Sequence, residues 1–193
     1  MVLFALITWQ VAVEGPLFTA DVALGRALFG TGPAPVAELF ADLGNMAVAL
    51  PVTAAAVGYV LVRDRRQWRP ALTAVAVMAA VPTLVLPLKL LVARPAPLEP
   101  GTGWYPSGHT ATAMVAYCTA ALLVTPYLRR RWAMPVAVVL TVATGIGLVL
   151  RGYHWPLDVV GSLCLFGAVL PFVSATGRRR SQSRTRTGRS GPS

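Results

Sequence analysis

Charge is scarce in this 193-residue chain: only 12% of its residues are Asp, Glu, Lys or Arg, while 55% are hydrophobic. With a mean hydropathy of +0.63, that shortage excludes an ordinary soluble domain and points to a polytopic membrane protein. Acidic residues are scarcer still, seven against seventeen basic ones, for a net charge of +10. Such an excess also fits nucleic-acid binding, but the positives sit in short loops and a C-terminal tail, with no aromatic-interleaved basic domain around them. No nucleic-acid partner is expected. There are two cysteines, Cys118 and Cys164, each inside an apolar run and without metal-ligand or redox spacing. They are assigned no chemistry. The chain also has only two histidines and a single lysine, Lys89.

What the chain does have is apolar runs, which imply an all-α fold: a six-helix transmembrane bundle with one additional short interfacial helix. Residues 1–13 are apolar but shorter than the roughly 20 needed to cross a bilayer, so they read as a tilted or incomplete first span. A cleaved signal peptide is disfavoured, since no basic region precedes the run and no small-residue cleavage site follows it. Residues 17–29 include Asp21 and Arg26 and suit a helix at the membrane surface. Further spans are expected at 36–62, 71–92, 110–127, 133–150 and 157–173. Residues 1–176 then form one transmembrane domain, and 177–193, rich in Arg, Ser, Thr and Gly, a disordered cytoplasmic tail that grips anionic headgroups.

Arginines crowd the loops at 63–69 and 129–131 and the tail at 178–189. By the positive-inside rule these face the cytoplasm, in the plasma membrane. The loops at 14–35, 94–109 and 151–156 then share the outer face. Three polar clusters from distant parts of the chain meet there: Lys89 with Arg94, Ser107-Gly108-His109, and Arg151 with His154 and Asp158.

Each cluster has a chemical reading and a structural one. Pro106 suits a helix entry and Ser107 an N-cap, so the backbone N–H groups around Gly108 would welcome an anion, with His109 beside it to exchange a proton. The alternative is a capped membrane helix with an interfacial histidine. A lysine in an apolar helix is a functional charge or a snorkelling anchor. His154 and Asp158 lie one helical turn apart across Pro156, so the carboxylate can orient the ring, or simply form a structural hydrogen bond. Together on one face, the clusters match the needs of phosphoryl transfer: cations and backbone donors for the oxygens, a nucleophile and an acid.

These residues resemble a known family. Lys89 with Arg94-Pro95, Pro106-Ser107-Gly108-His109, and Arg151-Gly152-Tyr153-His154 through Asp158 are similar to the three signature motifs of the type 2 phosphatidic acid phosphatases, membrane lipid-phosphate phosphatases related to vanadium haloperoxidases. The resemblance implies that His154 is a nucleophile forming a phosphohistidine, Asp158 its orienting partner and His109 the general acid. Lys89, Ser107 and Gly108 would hold the phosphate without a metal. Two arginines stand out of register: the family's first would fall at Ala96, and its Ser-Arg pair at Gly147-Leu148. Arg94 and Arg151 are the candidates to supply those charges to the phosphate.

The expected activity is therefore hydrolysis of a lipid phosphate or diphosphate, polyprenyl or glycerolipid, at the outer membrane face. The competing reading is a non-catalytic lipid-phosphate-binding membrane protein with a degenerate site. A small transporter is disfavoured because no inverted repeat is evident. Nothing in the residues sets the oligomeric state.

Overall fold

The computed structural model describes residues 1–98, 100–128 and 132–171. Within them the fold is all α-helical, with eight helices: α1 (Val2–Ala12), α2 (Pro16–Leu28), α3 (Ala34–Asp42), α4 (Met46–Arg63), α5 (Trp68–Val92), α6 (Gly108–Val124), α7 (Ala133–Leu150) and α8 (Pro156–Gly167). Four of these, α4 to α7, are long and apolar enough to cross a membrane. A fifth span is present if α1 and α2 count as one, bent by 81°. The protein is thus a multi-pass membrane protein with four or five candidate spans, fewer than the six expected.

The difference has local causes. The stretch 36–62 is not one helix. It breaks after Asp42, and Asn45 restarts it as the N-cap of α4, its side-chain oxygen accepting the Ala47 N–H at 3.2 Å. An Asn N-cap satisfies one of the free donors of a helix start, and here that local bond wins over continuation. Within 157–173, α8 closes at Gly167 after 12 residues. The arginines at 129–131 and the tail at 177–193 lie outside the described residues.

The hub is α6. Eleven of its seventeen residues are buried, among them Ala111, Ala113, Ala116 and Ala121. Small side chains let backbones approach closely, which is what drives helix association where lipid offers no hydrophobic gain. Around α6 stand α4, α5, α7 and α8. The α3 helix lies on α7, where Gly147 makes room for it: a Cβ there would come within 2.5 Å of the Ala37 carbonyl oxygen. The α1 helix joins the bundle through Ile7, Val11 and Tyr105, and the Tyr105 hydroxyl meets the Thr8 hydroxyl at 2.8 Å. Burial pushes the Tyr105 phenol up to about 12, so it stays neutral and holds that bond at any ordinary pH.

The bundle has two distinct ends. The C-termini of α5 and α7 and the N-termini of α6 and α8 carry all three polar clusters. The join between α4 and α5 carries Arg63, Arg65, Arg66 and Arg69.

Candidate active site

The α5 helix stops at Ala93, whose left-handed conformation (φ 48°) reverses the chain just past Lys89. Pro95 follows, keeping Arg94 out of a helical conformation. The loop then folds back on itself, with Pro95 bridged to Thr102 and the Trp104 N–H donating to the Arg94 carbonyl at 3.0 Å. Lys89 reaches across to this loop. Its Nζ donates to the Gly103 carbonyl at 2.8 Å and lies 5.7 Å from the centre of the Trp104 ring.

Ser107 is the N-cap of α6, its Oγ accepting the Thr110 N–H at 3.3 Å. It is pinned from the other side by α8. The Ser107 N–H donates to the Asp158 carbonyl at 3.0 Å, and the Ser162 hydroxyl donates to the Ser107 carbonyl at 2.7 Å. The space beside Gly108 is open, with no atom within 4 Å of where a Cβ would stand. His109 follows and is exposed.

Asp158 is the third residue of α8 and is fully buried. Its Oδ2 accepts the Trp155 N–H at 3.0 Å and faces His154 Nδ1 at 3.1 Å. A carboxylate in the first turn is favoured by the helix dipole, and the backbone N–H anchors it. His154 packs edge-on against Trp104, ring centres 5.6 Å apart.

The two histidines, 45 positions apart in sequence, wall a single cavity of about 300 Å³ together with Trp104, Leu148 and Tyr153. Neither expected arginine lines it. Arg94 is buried, its Nη1 donating to Asp158 Oδ1 at 2.6 Å and its Nη2 to Asp21 Oδ2 at 2.5 Å. Arg151 lies at the rim, its Nε on Glu38 at 2.6 Å, and the Tyr153 hydroxyl donates to the same carboxylate at 3.1 Å. Hydrogen bonding to Tyr153, and then to Glu38, pushes the Arg151 pKa up. Where the family pattern has its second arginine, Leu148 meets the cavity instead. Among the described residues, no three His, Cys, Asp or Glu side chains cluster as a metal site would need.

The model of the PAP2 superfamily matches residues 70–182, more than half of the chain. The chain belongs to the PAP2 superfamily. Two solved structures share its architecture. The transmembrane PAP2-type phosphatidylglycerolphosphate phosphatase from Bacillus subtilis is 22% identical, with a TM-score of 0.79 over 92% of this chain and 96% of that one. Aquifex aeolicus LpxE is also 22% identical, with a TM-score of 0.60 over 80% of this chain and 93% of that one. No curated protein matches the sequence.

Four residues around this PAP2 site were not among those expected from sequence: Asp21, Glu38, Trp104 and Tyr153. Asp21 had a signal of its own, as the only acidic residue in 17–29, but that was read as a mark of the membrane surface. It is in fact 4% exposed. The partners of Glu38 and Asp21 lie too far along the chain for spacing to reveal them.

Proposed function

We propose that this protein is an integral membrane phosphatase that removes phosphate from a lipid phosphate or diphosphate at the outer membrane face, through a phosphohistidine on His154. The observation that carries this reading is the pair of histidines on one small cavity, one of them held by a buried carboxylate. With Nδ1–H donating to Asp158, the Nε2 lone pair of His154 is free to attack phosphorus. As the N–P bond forms and the P–O bond breaks, His109 delivers a proton to the leaving oxygen. Water, deprotonated by His109, then attacks phosphorus, releasing phosphate and restoring His154.

The non-bridging oxygens would be held by Lys89, by Ser107 and by the backbone N–H groups at the open N-terminus of α6 around Gly108. Lys89 exchanges the Gly103 carbonyl for a phosphate oxygen in doing so. Arg151 joins them by exchanging Glu38 for the headgroup. The arginine-rich segments face the cytoplasm of the plasma membrane in this reading, which puts the site outside. No metal takes part, so a chelator leaves turnover intact and vanadate, a phosphate mimic, inhibits. The paired acid and nucleophile give a bell-shaped pH profile.

Phosphate release from a panel of polyprenyl diphosphate, phosphatidylglycerophosphate and phosphatidic acid, in detergent, tests the proposal, with His154→Ala as control. Turnover that survives in the variant, or is lost to EDTA, would refute the mechanism. A second reading, a lipid-phosphate binder without turnover, draws support from Leu148 on the cavity wall and from two arginines committed to carboxylates. Vanadate binding with no turnover on any substrate would favour it.

A further inference from the structure

Asp21 belongs to α2, outside residues 70–182 and outside all three motifs, yet it is as deeply buried as the site itself. We infer that Asp21, acting through Arg94, is a positioning residue for the His154–Asp158 pair, an assignment that rests on the phosphatase reading above. The contacts form a continuous chain. Asp21 Oδ2 accepts from Arg94 Nη2, Arg94 Nη1 donates to Asp158 Oδ1, and Asp158 Oδ2 faces His154 Nδ1. The second Asp21 oxygen accepts the Leu157 N–H at 2.7 Å. One carboxylate therefore fixes both the arginine and the helix turn that presents Asp158.

Each link has a physical purpose. Asp158 must keep one oxygen on the imidazole, and a guanidinium on the other oxygen stops the carboxylate rotating away. Arg94 is a long side chain whose own geometry must be set. Asp21 takes its free amino group, while the Phe18 and Trp155 rings lie 5.0 and 5.5 Å from its guanidinium carbon. Two carboxylates around one guanidinium also leave one net negative charge near His154, which favours the cationic ring that the N–P bond creates. For Arg94 to bind phosphate instead, it would have to abandon two buried carboxylates. Stranding buried charges in that way is strongly unfavourable.

The test uses full-length Asp21→Asn, Arg94→Gln, Arg94→Lys and the Asp21→Asn/Arg94→Gln double variant, read by kcat, KM and vanadate inhibition on the best substrate of the panel. A positioning role predicts a kcat loss of about a hundredfold for Arg94→Gln and about tenfold for Asp21→Asn. KM and vanadate inhibition should change by less than about threefold, because the oxygen ligands are untouched. Arg94→Lys should recover little, since one ammonium cannot reproduce the fork, and the double variant should be no worse than Arg94→Gln. Loss of vanadate affinity with kcat preserved would overturn the assignment by making Arg94 a phosphate ligand, as would wild-type kcat in Asp21→Asn. If Arg94→Gln does not fold, Asp21→Asn, the same size as Asp, decides alone by the same criteria.

A wild type silent on every substrate would instead remove the phosphatase reading. Positioning is then read by NMR from the His154 Nδ1 proton. Faster exchange in Asp21→Asn supports the chain of contacts, and an unchanged signal overturns it.

Discussion

The two ends of the bundle hold charge in opposite ways. At the α4–α5 join, Arg63, Arg65, Arg66 and Arg69 are exposed; Arg63 lies over the Tyr59 ring and Arg69 over Trp68. Asp64 there caps the turn at Arg65–Gln67, its Oδ1 accepting the Arg66 N–H at 3.0 Å. At the site end the arginines are fewer, but Arg94 is locked between two carboxylates and Arg151 is tied to Glu38. Solvated charges are individually weak because water competes for them, whereas a buried charge binds its partners strongly and suffers most when one is removed. The number of arginines thus misleads, and their burial tells where function is vulnerable.

That contrast can be broken or sharpened by mutation. The largest effect is expected from His154→Ala, which should cut phosphate release by at least about a thousandfold while the protein still folds. Turnover near wild type would make the site end as dispensable as the other. Next, Asp158→Ala strips His154, Arg94 and the Trp155 N–H of a shared partner. It should destabilise the protein by about 3–5 kcal/mol as well as silence it, which detergent-denaturation curves would show.

Lys89→Met comes third. Losing one charge-assisted bond to a phosphate oxygen costs about 1.5–3 kcal/mol, read as a tenfold or greater rise in the vanadate inhibition constant. Glu38→Gln touches a half-exposed rim pair and should shift stability by no more than about 1 kcal/mol. If activity then rises because Arg151 is released toward substrate, the rim pair restrains the enzyme; if it falls, Glu38 is needed to hold Tyr153 on the cavity wall. Smallest of all, Arg69→Ala should cost less than about 1 kcal/mol and leave turnover unchanged. A large loss there would end the comparison.

Much of the site was legible because it is local. Ser107 caps α6, Pro156 opens α8, and the four-residue step from His154 to Asp158 places ring and carboxylate in contact. Each depends on local backbone geometry at a helix start, which a linear pattern reports faithfully. The span boundaries were less legible. Hydropathy over 36–62 does not register that Asn45 restarts the helix, because a cap is one hydrogen bond and not a change of composition. The fate of the arginines was not legible at all. Asp21 and Arg94 are 73 positions apart, and Glu38 and Arg151 are 113 apart.

Composition and spacing by themselves determined an apolar helical bundle, its basic segments, and a short roster of polar residues gathered near one end. They also put the His154–Asp158 contact within reach, since His154 stands just before the N-cap of α8 and Asp158 in its first turn. Only the tertiary structure decided which charges meet the cavity and which are consumed in holding it together. An arginine selects among distant carboxylates by burial and reach, and those are properties of how the helices pack, not of any one helix.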